Sequence, residues 1–178
     1  MDTYDLKIEK GTKQDIDELE QLYYEITDYL DSHINYPGWK KGIYPDRSTA
    51  EEGIEENNLF VARSKGRIVG TVILSHEPPE VFLKVNWNAD LDYRDVLMIY
   101  TLAVHPQYLR SGIGKQMLDF IIEYSKQNHI KAIRLDVFEK NIPAVKLYQS
   151  FGFQYIDSVD PGYEGFGSDQ FKLYQKLL

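Results

Sequence analysis

The chain has 178 residues, is 43% hydrophobic and 27% charged, and carries a formal net charge of −8 at pH 7; residues 1–178 suit one domain able to bury roughly 70% of its unfolded surface. Such acidity disfavours a nucleic-acid partner, whose phosphates need basic surface, and no apolar stretch approaches the about 18 residues of a membrane span. The absence of cysteine removes disulfides, thiolate metal sites and a cysteine nucleophile together.

Residues 1–5 lack a basic and apolar leader, which points to a cytoplasmic protein. A short strand is expected at residues 6–9. Thr12 then reads as a helix N-cap with Asp15 as its capping-box partner. Ile16, Leu19, Leu22, Tyr23, Ile26 and Leu30 recur at helical spacing, so that helix buries one face. Residues 33–44 break the pattern with Pro37, Gly38 and the rings of Tyr36, Trp39 and Tyr44. Ser48-Thr-Ala-Glu51 reads as a second capping box, opening a short helix that ends near Asn57. Residues 59–63 and 68–75 form a hairpin, and residues 77–95 a long, partly irregular insertion. Residues 96–104 are a nearly continuous apolar run, as a strand buried on both faces requires. A helix follows Gly112, with Met117, Leu118, Ile121, Ile122 and Tyr124, and ends at Asn128. Residues 130–138 form a strand. Pro143 opens a short helix that Gly152 ends, and strands at 153–159 and 170–177 close the chain around a mobile turn at 160–167. The fold class is mixed α/β.

The four histidines show no metal-ligand spacing, so no metal is expected. The most informative stretch runs from Thr101 to Lys115, Thr-Leu-Ala-Val-His-Pro-Gln-Tyr-Leu-Arg-Ser-Gly-Ile-Gly-Lys. An apolar strand ends at a proline, and a polar turn with two spaced glycines opens an amphipathic helix. Amides of such a turn converge on a phosphate, helped by the positive end of the helix dipole. A P-loop is excluded because Gln116 follows Lys115 and Leu109 stands at the first glycine position. A dinucleotide fingerprint is excluded because Met117 occupies its third glycine position.

Downstream stands Asn141-x-x-Ala144-x-x-x-Tyr148-x-x-x-Gly152-Phe153. With the turn before it, this pattern resembles the GNAT family of acyl-CoA-dependent N-acyltransferases. The family's Gln/Arg-x-x-Gly-x-Gly/Ala falls on Leu109 to Gly114, with Leu109 in place of the Gln or Arg. The resemblance implies a central mixed, mostly antiparallel twisted sheet flanked by helices and splayed at the acetyl-CoA site. It implies acetyl-CoA as co-substrate, with Leu102 and Val104 offering backbone groups to the pantetheine arm. Leu109, Arg110, Ser111, Gly112, Ile113, Gly114 and Lys115 would surround the pyrophosphate, Asn141 would sit near the pantetheine, and Tyr148 beside the thioester sulfur. A homodimer through residues 170–177 follows by the same analogy.

Acetyl transfer to an amine poses two proton problems. A lysine-like amine has a pKa near ~10.4 and must be neutral to attack, while a leaving thiolate, pKa near ~8.5, must be met by a proton. Tyr148, a phenol, is the expected general acid. Relatives often carry a Glu two or four residues before the position of Leu102. Here Tyr100 and Met98 stand there, so the base is unassigned among Glu77, Glu80, Asp92, Asp95 and His76, acting through water. His105, ahead of Pro106, reads as a turn residue. The acceptor, a small-molecule or peptide amine, is expected at Tyr36, Trp39, Tyr44 and Tyr100, whose rings suit a cation. The alternative is a non-catalytic CoA-binding module that keeps the turn and has lost its base.

Overall fold

The computed structural model describes residues 5–167 and 169–178; residues 1–4, on which most of the leader argument rests, lie outside them. Seven strands form one sheet: β1 (Leu6–Lys10), β2 (Leu59–Ser64), β3 (Arg67–Ser75), β4 (Val96–Val104), β5 (Ala132–Phe138), β6 (Gln154–Val159) and β7 (Phe171–Leu177). Their order is β1-β2-β3-β4-β5-β7-β6. The helices are α1 (Ile16–Ser32), α2 (Arg47–Glu55), α3 (Ile113–Gln127) and α4 (Ile142–Ser150). Pairing is antiparallel between β1 and β2, β2 and β3, β5 and β7, and β6 and β7, and parallel between β4 and β5. Among the described residues no helix is long and apolar enough to cross a membrane.

The chain divides into two compact units. The first holds β1–β3, α1, α2, the end of β4 from Tyr100, and α3 as far as Phe120. Its core is the apolar stripe of α1 (Leu19, Leu22, Tyr23, Ile26 and Leu30) packed with Leu59, Val61, Ile68 and Ala103. Hydrophobic periodicity places those α1 residues on one face, and their burial drives the packing. Lys65 (φ 50) and Gly66 (φ 80) join β2 to β3, the two left-handed residues that a tight hairpin turn requires.

The capping box at Thr12 is present: its amide donates to Asp15 Oδ2 at 2.8 Å and its hydroxyl at 3.0 Å. A short 3₁₀ turn, Lys13–Asp15, precedes α1 proper. The second box is displaced from the expected Ser48. Asp46 is the N-cap of α2, accepting from the Thr49 amide at 3.2 Å, while Thr49 Oγ1 accepts from the Asp46 amide at 3.2 Å. Backbone at Asp46 is still extended (φ −141), so its carboxylate meets the free amides first and Ser48 falls inside the helix.

The second unit holds residues 36–38, Ser75–Ile99 and Ile121–Leu178. The 77–95 insertion contains two 3₁₀ turns, Glu80–Lys84 and Tyr93–Asp95. Buried Arg134 of β5 fastens it, donating to Gln175 Oε1 at 2.9 Å and the Ala89 carbonyl at 3.1 Å, with its guanidinium 4.5 Å from the Trp87 ring.

Candidate functional site

In the first unit the turn expected to hold a phosphate is built by the end of β4 and the start of α3. Gly70 on β3 lets these pack: a Cβ there would stand 2.9 Å from the Ala103 carbonyl and 2.8 Å from Met117 Sδ. His105 is buried at the end of β4. Its Nδ1 accepts from the Gln107 amide at 3.2 Å, capping the Pro106–Tyr108 turn. Its Nε2 therefore carries the proton and donates to Glu25 Oε2 of α1 at 2.5 Å. Hydrogen bonds from Gln21 and then from His105 hold the Glu25 carboxyl below its ordinary range.

Arg110 (φ 62) and Gly112 (φ 90) bend the backbone through the left-handed region into α3. No atom lies within 4 Å of where a Gly112 Cβ would stand, so the glycine is required by its conformation rather than by packing. The Gln116 amide donates to the Gly112 carbonyl at 3.1 Å. The amides of Ile113, Gly114 and Lys115 precede that bond, as the first turn of any helix leaves its donors unspent. Arg110 and Lys115 are exposed beside them. This geometry suits a pyrophosphate.

Strand β4 carries a strained point. Thr101, buried and β-branched, has φ 48, a conformation costing about 1–3 kcal/mol that persists only where the surroundings impose it. Its hydroxyl is hydrogen-bonded to Tyr44 Oη, and Tyr44 packs edge-on to Trp39 at 5.9 Å. Trp39 in turn lies against the α1 core. Leu102 and Val104, half-buried, alternate with buried Thr101 and Ala103. Registered pairing of β4 with β5 runs from Val96↔Ala132 to Ile99↔Leu135; β4 continues to Val104 and β5 to Phe138.

In the second unit Asn141 is the N-cap of α4, accepting from the Ala144 amide at 3.3 Å, which leaves its side-chain amide group available. Tyr148 is buried on α4, edge-on to Phe153 at 5.6 Å. Burial first, and the Asp136 carboxyl second, push its pKa up. Tyr36, exposed, belongs to this unit, whereas Trp39, Tyr44 and Tyr100 belong to the first.

Three of the carboxylates considered as bases, Glu80, Asp92 and Asp95, lie beside a basic side chain. Asp92 grips Arg94 at 2.8 Å, which lowers its pKa to about 2, and Asp95 grips Lys131 at 2.6 Å. Glu80 lies 3.7 Å from Lys84. The His76 Nδ1 meets the carbonyls of Val96 at 2.6 Å and Tyr93 at 3.1 Å, so it carries a proton. Sequence reasoning passed over Asp136. Among the described residues no group of three or more His, Cys, Asp or Glu is placed to hold a metal ion.

Residues 15–153 match the Acetyltransferase (GNAT) family. The chain belongs to that family. An uncharacterised N-acetyltransferase of Methanocaldococcus jannaschii is 26% identical over 164 residues, 86% of this chain and 65% of its own length. A spermine/spermidine N(1)-acetyltransferase of Bacillus subtilis is 40% identical over 58 residues, 32% of this chain and 38% of its own. The chain thus spans less than two thirds of these curated relatives. The crystal structure of a GNAT-family acetyltransferase from Streptococcus agalactiae 2603 superposes with a TM-score of 0.80 at 22% identity, covering 99% of this chain and 98% of its own. That likeness shows a GNAT fold.

Proposed function

We propose that the chain is an acetyl-CoA-dependent N-acetyltransferase acting on a primary amine by direct attack, without an acyl-enzyme. The observation that carries this reading is the left-handed turn at Arg110 and Gly112, opening α3 directly after β4. Amides 110–115, with the Arg110 and Lys115 charges, hold the pyrophosphate, and the backbone of Leu102 and Val104 extends along the pantetheine. The Asn141 side chain adds a polar contact there. Amides at the strained end of β4 meet the negative charge developing on the carbonyl oxygen, and Tyr148, held protonated, supplies the proton to the leaving sulfur.

The rings of Tyr36, Trp39, Tyr44 and Tyr100 are the proposed acceptor side. Names of relatives support a cationic acceptor, since one B. subtilis relative carries the name of a spermine/spermidine acetyltransferase. Met98 and Tyr100, standing where relatives often hold a Glu, favour the second reading, a non-catalytic CoA-binding module. Thiol release from acetyl-CoA over a panel of primary amines separates the two. Release that depends on the amine supports the enzyme; tight acetyl-CoA binding with no release by any amine supports the module.

A further inference from the structure

We propose that Asp136 is the proton acceptor of the reaction, and that the acceptor is a cationic amine seated against it beside Phe138, Tyr163 and Phe166. The inference rests on the acetyltransferase reading and supplies the base that β4 lacks.

The placement follows from strand alternation. Arg134, Asp136 and Phe138 share one face of β5, opposite Gln175, Leu173 and Phe171 of β7. At one end of this face Arg134 is committed to Gln175 and the insertion. At the other, the turn between β6 and β7 folds back. Tyr163 Oη donates to Asp136 Oδ2 at 2.6 Å. Tyr163 and Phe166 lie edge-on to Phe171 at 5.2 and 5.0 Å, and Phe166 to Phe138 at 5.3 Å. Gly38 (φ 73) closes against these rings, where a Cβ would stand 2.4 Å from Phe166 Cε1 and 3.1 Å from Phe138 Cδ1. Asp136 is half-buried, and among the described residues no lysine, arginine or histidine pairs with it.

That isolation is the telling feature. Asp15, Asp92 and Asp95 each have a basic partner within 3 Å. A desolvated carboxylate held by one phenol and its own backbone amide, with no cation, is costly, and it is relieved when an ammonium arrives. Aromatic faces around it suit the same charge. Its carboxyl is pushed up to about 6, by burial first, near the pH at which a general base works best. The titratable group acting on it is Tyr163 from the turn, and its carboxyl in turn acts on Tyr148 of α4. Leu173 faces it from β7. Lys140 lies farther along, 5.5 Å from the Phe138 ring, and Asp160, Glu164 and Asp169 are on the turn itself.

In the step proposed, the ammonium gives one proton to the Asp136 carboxylate. The freed lone pair forms the N–C bond at the thioester carbon while the C–S bond breaks. Sulfur takes the Tyr148 proton, and the second nitrogen proton returns to that phenolate, directly or through water. Asp136 then releases its proton to solvent. One ammonium and one acetyl-CoA give one amide, one thiol and one proton.

The test is a pH profile of kcat/KM from pH 5 to 9, with acetyl-CoA saturating and n-butylamine, phenethylamine and spermidine as probes. It is run on the wild type, Asp136→Asn and Asp136→Glu. If ammonium is the bound form and Asp136 its acceptor, the profile rises tenfold per pH unit to about pH 6 and is then flat. Asp136→Asn lowers turnover at least 100-fold with acetyl-CoA affinity kept, and Asp136→Glu recovers part of it. A profile that climbs steadily toward the amine's own pKa, or an Asp136→Asn enzyme with wild-type turnover, overturns the proposal. Calorimetric binding of spermidine at pH 7.5 decides the docking half without turnover. A tenfold or greater loss of affinity in Asp136→Asn supports it, and equal affinity overturns it. Thiol release absent with every amine, beside Asp136-dependent spermidine binding, instead sinks the acetyltransferase reading while leaving the amine site standing.

Discussion

At the residue scale, the Asp136 carboxyl bears on the protonation of Tyr148. Burial and the neighbouring carboxyl keep Tyr148 a phenol through neutral pH and also make it a weaker acid than a solvated phenol, so transfer of its proton to sulfur depends on the phenolate being reprotonated from the amine nitrogen. Tyr148→Phe is expected to cut turnover about 10²-fold, the lower end for a lost acid because water substitutes in part, with the acetyl-CoA Kd unchanged. Undiminished turnover where chemistry limits the rate would leave Tyr148 a packing residue. Asp136 has a thermodynamic signature of its own. Its folded pKa, about 6, stands above the 3.8 expected for the unfolded chain, so the folded state binds more protons between those values. The stability this lends is complete below pH 4 and is lost as pH rises through 6. Asp136→Asn removes the buried charge, so the variant should gain on the wild type by up to about 3 kcal/mol between pH 4 and pH 7.5. Urea unfolding at the two pH values measures this, and a constant gap would show that Asp136 is well solvated. Tyr148 stood in a motif, but the part of Asp136 was not legible in the sequence. Asp136 is one alternating position of a strand, and its phenol donor lies 27 residues downstream.

Among the elements, the turn that opens α3 was legible as a turn, because spaced glycines after a buried strand mark where the backbone must bend. Gly112→Val puts a β-branched residue at φ 90 and its side chain into the open space above the first-turn amides. Acetyl-CoA affinity should fall at least tenfold, read by calorimetry, while the helix itself persists by circular dichroism. Unchanged affinity would move the pyrophosphate elsewhere. The helices and strands came out nearly as hydrophobic periodicity predicts, since burial of one face is what selects them. Two local features did not. The N-cap of α2 lies at Asp46 because a carboxylate two residues ahead of Ser48 reaches the same free amides. The left-handed Thr101 has no signature in composition, since a threonine in an apolar run reads as ordinary strand; only its tie to Tyr44, 57 residues away, reveals it. Trp39 and Tyr44 had stood out as rings in a connection. The structure gives them a packing duty against the α1 core and Thr101, whatever they also do for an acceptor.

For the whole molecule, the net charge of −8 is consistent with a cationic acceptor, since an acidic surface draws such ligands in by diffusion at low salt. The strand order carries a different consequence, one that concerns synthesis. β7 follows β6 in the chain, yet it lies between β5 and β6 and pairs with both, from Ala132↔Leu177 to Phe138↔Phe171 on one side and from Gln154↔Gln175 to Val159↔Phe171 on the other. Neither β5 nor β6 has that neighbour until residues 171–177 have left the ribosome, whereas β1, β2 and β3 can pair long before. The early strands can therefore mature as the chain emerges, and the strand bearing Asp136 waits for β7 with one edge unpaired. An open strand edge is the state most prone to wrong partners, so β7 acts as the keystone between β5 and β6.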